Sequence, residues 1–139
     1  MGSIAVDKEH WLYKLSPNEW ISAALSEIRR AEEAYGRRDA RAGLAGCRRA
    51  AGMALNGALI VEPREAWGRT YIEHLAGLQA DTTAPEVVRS AAGLLIQAQI
   101  PSPSLVLLRT RGQDQRLVEA AKDVMAHGYA VVRRHDADE

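Results

Sequence analysis

The chain has 139 residues, the length of one domain, and its 18 basic and 18 acidic side chains give a formal net charge of zero. Hydrophobic residues make up 47% and charged residues 26%, which excludes disorder as the main state. The balanced charge argues against a dedicated nucleic-acid binder, whose affinity rests on a basic surplus, and leaves little repulsion to keep copies apart.

Residues 1–15 read as an N-terminal arm anchored by Trp11, Leu12, Tyr13 and Leu15. Asp7 and Glu9 and the absence of a long apolar core set the arm apart from a signal peptide. Ser16-Pro17-Asn18-Glu19 is a helix start: Ser16 caps, Pro17 suits the first helical position and Glu19 completes a capping box. Trp20, Ala24, Ile28, Ala31 and Tyr35 follow at steps of four and three, one helical stripe, and Gly36 ends the element. Asp39 caps a second helix whose stripe is Ala40, Leu44, Cys47, Ala51, Ala54 and Ala58, with Leu55 and Leu59 alongside. The short link makes the two helices an antiparallel hairpin. Gly43, Gly46, Gly52 and Gly57 each cost about 1 kcal/mol against Ala in an exposed helix interior, so four of them predict close approach to neighbours.

Glu62-Pro63 closes that helix, and a third is predicted over 66–80 with Trp67, Tyr71, Leu75 and Leu78 on one side. Thr83-Ala84-Pro85-Glu86 repeats the cap, proline and glutamate pattern, predicting a fourth helix to Gln99 with Val87, Ala91, Leu94, Leu95 and Ala98 inward. Pro101-Ser102-Pro103 stops it, and Ser104 to Thr110 is an apolar crossing segment with no second strand to pair with. Asp114 begins the last helix, with Leu117, Ala121, Val124 and Val131 as its stripe, and residues 134–139 form a charged tail. The expectation is therefore an all-α, up-and-down bundle of four to five helices over residues 16–133. The longest apolar run is about five residues, far short of the ~20 that a membrane-spanning helix needs. The single cysteine, Cys47, implies a reducing, hence cytoplasmic, setting and a buried inert thiol.

Three features are candidates for function. Seven arginines lie between residues 29 and 49 against Glu32, Glu33 and Asp39, and Arg37, Arg41 and Arg48 fall at steps of four and seven. Their planar forks suit phosphate or RNA contact, and the alternative is a solvated face in an arginine-rich protein. Trp11 and Tyr13, in the arm, are candidate interface residues, while the other Trp and Tyr side chains supply core volume in a chain without Phe. Asn56 either hydrogen-bonds between helices or faces solvent, and His127 is placed to pair with Asp123 one turn away. No metal or cofactor motif is present in the sequence.

The segment Ala23 to Tyr35, the Arg-Arg-Asp-Ala-Arg-Ala-Gly-Leu turn, the small-residue run Cys47 to Leu59, His74-Leu75 and the closing helix from Leu117 to Val132 together resemble the HEPN superfamily of helical-bundle domains. The resemblance covers residues 19 to 133 and is one of pattern and order. It implies either a dimerising or protein-binding module or a metal-independent ribonuclease. Active members carry Arg and His four to six residues apart, and Arg69-Thr-Tyr-Ile-Glu-His74 matches that spacing. The histidine would shuttle the 2′-hydroxyl proton and the arginine would stabilise the phosphorane charge. Here the match follows the first hairpin directly, whereas active members place it before the final helix. The leading expectation is a cytoplasmic interaction module without a cofactor, self-associating or binding a protein partner. The alternative is a HEPN-type ribonuclease or toxin component using Arg69 and His74.

Overall fold

The Ser16 start behaves as its sequence dictates in the computed structural model, which describes residues 11–99 and 111–136, the side chains of residues 11, 111 and 136 excepted. Ser16 Oγ accepts from the Glu19 N–H at 3.1 Å, and the Glu19 carboxylate accepts from the Ser16 N–H at 2.8 Å. This reciprocal cap opens α1 (Pro17–Gly36). Trp20, Ala24, Ile28 and Ala31 are buried along it, and Tyr35 is half-buried. Ahead of it a short 3-10 turn, Trp11–Lys14, folds back so that the Trp20 indole N–H donates to Leu12 O at 2.9 Å. Thus the part of the predicted arm that is described is packed, with Leu12 buried and Tyr13 partly so.

Gly36 is the last residue of α1, as predicted, and the left-handed residue of the turn that follows is Arg38, with φ of 63°. Asp39 then caps α2 (Ala40–Val61) through the Ala42 N–H at 3.1 Å. Every predicted stripe residue of α2 is buried. Its glycines are points of contact, as predicted. A Cβ on Gly46 would lie 2.9 Å from the Ala31 Cβ, and one on Gly52 would lie 2.3 Å from the Tyr71 ring. Small residues on α2 therefore let α1 approach to near backbone contact and seat the Tyr71 ring of the third helix.

The predicted third helix is broken. A 3-10 turn, Glu65–Trp67, ends at Gly68 with φ of 68°, and α3 (Tyr71–Ala80) starts afresh. Thr70 and Glu73 form a capping box that the sequence contains and that outcompetes a continuous helix through Gly68. At the next joint the predicted box does not form. Thr83 turns back to Asp81, donating its N–H at 3.0 Å and its hydroxyl at 2.6 Å, so α4 (Glu86–Gln97) starts after Pro85 with no side-chain cap. Its inward stripe is Val88, Ala91, Ala92 and Leu95, one residue on from the prediction at its start, and Val87 is 66% exposed.

The crossing segment predicted over 104–110 lies outside the described residues. The last helix, α5 (Arg111–Asp136), buries Leu117, Ala121, Val124 and Val131 as predicted. It also runs through residues 134 and 135, which the sequence assigned to a tail. Gly128 sits against α2, where a Cβ would lie 2.7 Å from Ala54 O. Contacts at 54 with 128, 57 with 132 and 62 with 134 show that α2 and α5 run in the same direction. The described residues form an all-α bundle of five helices in which α2 touches α1, α3, α4 and α5. Among them no helix is long and apolar enough to cross a membrane.

Candidate functional site

The Arg69 and His74 pair separates across the surface. Arg69 precedes α3 and is exposed, its backbone N–H donating to Glu73 Oε1 at 3.1 Å. His74 is wholly buried. The two side chains do not share an open groove, which the ribonuclease reading requires. Burial holds the His74 pKa below its usual value, so the ring is neutral and carries one N–H. Nδ1 lies 2.8 Å from Trp67 O, which can only accept, so the proton sits there. Nε2 is then an acceptor, and Asn56 lies 3.0 Å away. The ends of an Asn amide are told apart by their partners. Asn56 is placed with Oδ1 towards Nε2 and with its NH2 unpartnered, and turning the amide over puts the NH2 on Nε2 and satisfies both groups. Of the two readings of Asn56, the bond between helices is the one realised.

Cys47 is also buried, and burial pushes its thiol up to about 12. A thiol so far from ionising is no nucleophile at neutral pH.

The arginine patch divides. Arg48 is turned into the bundle, where Nε donates to Leu95 O at 2.9 Å and Nη2 to Ala98 O at 2.8 Å and Ile96 O at 3.3 Å. Its fork closes the C-terminal end of α4, whose last carbonyls lack helical partners. Arg49 pairs with Glu27 at 3.4 Å. Arg37 and Arg41 stay exposed on the hairpin. The face predicted from Arg37, Arg41 and Arg48 thus loses its third member. Of the two interface candidates, Tyr13 packs partly against the core, and the Trp11 side chain lies outside the described residues. His127 feels the charges of Asp81, Glu62, Arg64 and Arg134, and it forms no hydrogen bond or ion pair with Asp123.

Those groups surround a cleft of about 230 Å³ where the ends of α2 and α5 meet the turns on either side of α3. Its floor is apolar, from Leu55, Ala58, Leu59, Ala84 and Val131, with Trp67 at the side. The sequence builds it from helix ends. Glu62, the C-cap of α2, accepts from Arg134 on α5 at 2.8 and 3.2 Å and meets His135 Nε2 at 2.8 Å. Burial alone would raise the Glu62 carboxyl, but the hydrogen bonds from His135 and Arg134 hold it below its usual value. Across the cleft Arg64 donates to Asp81 at 3.3 Å and lies over the Trp67 ring, 5.2 Å from its centre. Asp81 is held below the usual carboxylate range chiefly by Thr83.

Trp67 itself is fixed twice, by His74 at its carbonyl and by Gly77, where a Cβ would lie 2.4 Å from the indole. His74, read as catalytic in the alternative, is thus a positioning group beneath the cleft wall. Sequence reasoning missed Glu62, Arg64, Asp81 and Arg134. Their one local signal is that each lies at or near a helix end, and nothing in a single sequence shows that residues 62, 81 and 134 converge. Among the described residues no cluster of His, Cys, Asp and Glu is arranged to hold a metal ion. No family model, curated protein or solved structure matches the chain.

Proposed function

We propose that the chain is a HEPN-like helical interaction module of the cytoplasm that binds a protein partner or a second copy of itself through the cleft. The observation that carries this reading is the cleft's make-up: an apolar floor ringed by charges already held in place by one another. Such a site offers shape, apolar area and orienting charges to a partner. The groups suited to chemistry support it from the other side. His74 and Cys47 are buried and taken up by the fold.

Selection of binding peptides from a random library tests the proposal, together with sedimentation of the protein alone over a wide concentration range. The expected result is binding or self-association that Arg64→Glu with Arg134→Glu abolishes and that Arg37→Glu with Arg41→Glu leaves intact. A concentration-independent monomer that selects no peptide overturns it. The ribonuclease alternative is tested on Arg69→Ala, because Arg69 is exposed and its loss leaves the core untouched. RNA cleavage by the wild type that disappears in this variant would put the alternative ahead.

A further inference from the structure

The rim of the cleft has more hydrogen-bond donors than acceptors. Asp81 Oδ2 accepts from Arg64, and its Oδ1 accepts twice from Thr83. Glu62 Oε2 accepts from Arg134 Nε and Nη2 and meets His135 Nε2. A guanidinium carries five N–H groups. Among the described residues Arg64 uses Nη1 alone, and Arg134 uses Nε and Nη2. Both side chains remain open to solvent, at 41% and 60% exposure. His127 is half-buried in the same wall and has no hydrogen bond to another described residue. A ligand entering here meets spare donors over an apolar floor.

Charge and size narrow the class. Two guanidinium groups against two carboxylates leave the rim neutral while His127 is neutral. A dianion such as phosphate would set two charges against Glu62 and Asp81 without a net positive field, whereas a carboxylate sets one and can take paired N–H bonds from a guanidinium. Drug-sized ligands occupy clefts of roughly 300 Å³ and more. At about 230 Å³ this one holds a head group and one branched or aromatic side chain.

We propose that the cleft binds the free carboxylate of a ligand the size of one apolar residue. The carboxylate lies on the spare donors of Arg64, Arg134 and His127, and the apolar body lies on Leu55, Leu59 and Val131. This rests on the interaction reading in one respect, that the chain-terminal carboxylate of a partner is the source expected. A free aliphatic or aromatic acid has the same chemistry.

The test is an NMR titration of the full chain, read at the Trp67 indole N–H and the His127 ring. The probes are N-acetylleucine, N-acetylleucinamide and a short peptide ending in leucine with its C-terminus free or amidated. The acid is expected to bind about tenfold or more tighter than the amide, as loss of charge-assisted bonds predicts. The free-ended peptide is expected to bind at least as well as the acid. Arg64→Gln and Arg134→Gln should each weaken both, while the acid and amide comparison on the wild type needs no variant to fold. Equal binding of acid and amide, or no response to either, overturns the proposal. Binding of the peptide whether or not it is amidated also overturns it, and leaves the interaction reading standing. Binding of the acid with exclusion of the free-ended peptide upholds the carboxylate site and overturns the interaction reading.

Discussion

His74 shows what a residue's surroundings do to its chemistry. Its ring is neutral because burial opposes the charge, and its two nitrogens are taken by Trp67 O and Asn56. The folded pKa lies below the unfolded value of 6.5, so the unfolded chain binds more protons as pH falls through that value. His74 therefore contributes stability that is present above pH 6.5 and lost as pH falls towards and through its folded pKa. His127, also lowered by burial, adds in the same direction. Urea midpoints should fall on acidification below 6.5, and His127→Gln should keep most of that fall. A flat profile in this variant would show that His74 is not held neutral. The Arg69 and His74 spacing fits a catalytic pair and equally a solvated arginine beside a buried histidine, and the second is what the structure shows.

Among the elements, what was legible and what was not divide by the range of the interaction responsible. Caps built within four residues were readable at Ser16 and Asp39, because cap and N–H are neighbours in the chain. The stripes of α1, α2 and α5 were readable because each buries one continuous face. The fourth helix departs only at its start: Thr83 was claimed by Asp81 and Val87 was left exposed, while Ala91, Leu94, Leu95 and Ala98 pack inward as predicted. Arg48 failed for a related reason, because its carbonyl partners lie 47 to 50 residues away. Arg48→Lys keeps the charge but not the fork, and should cost about 1–2 kcal/mol in chemical denaturation, since bonds to charged groups are worth roughly 1.5–3 kcal/mol. The glycines give a sharper contrast. Gly128→Ala drives a methyl against the Ala54 carbonyl and should destabilise by about 1–3 kcal/mol through overpacking. Gly36→Ala meets nothing within 4 Å and should stabilise by about 0.5 kcal/mol through helix propensity. Similar effects from the two would show that α2 and α5 are not in close contact at Gly128.

Across the whole molecule, Glu62 ties the end of α2 to the last turns of α5. The sequence marked 134–139 as a tail, from which removal of those residues should be harmless. In the structure Arg134 and His135 hold Glu62 and one wall of the cleft. Truncation after Arg133 should therefore lower the melting temperature by a few degrees, the scale of about 1 kcal/mol in a domain of this size. The loss should shrink when Glu62 is first changed to Gln, as expected of coupled partners. An undiminished loss in that background would assign the effect to helix length alone.

The central position of α2 has a consequence for motion. Fourteen of its 22 residues are buried, from Ala40 to Leu59, with other helices on several sides. No local fluctuation can bring the middle of such a helix to solvent. Its amide hydrogens from Ala50 to Gly57 should exchange with deuterium only when the entire bundle opens, at the free energy of global unfolding. The solvent-facing amides of α3 and α4, on shorter helices, should exchange earlier through partial openings. The slowest protons would then mark the spine on which every other helix of this fold is hung.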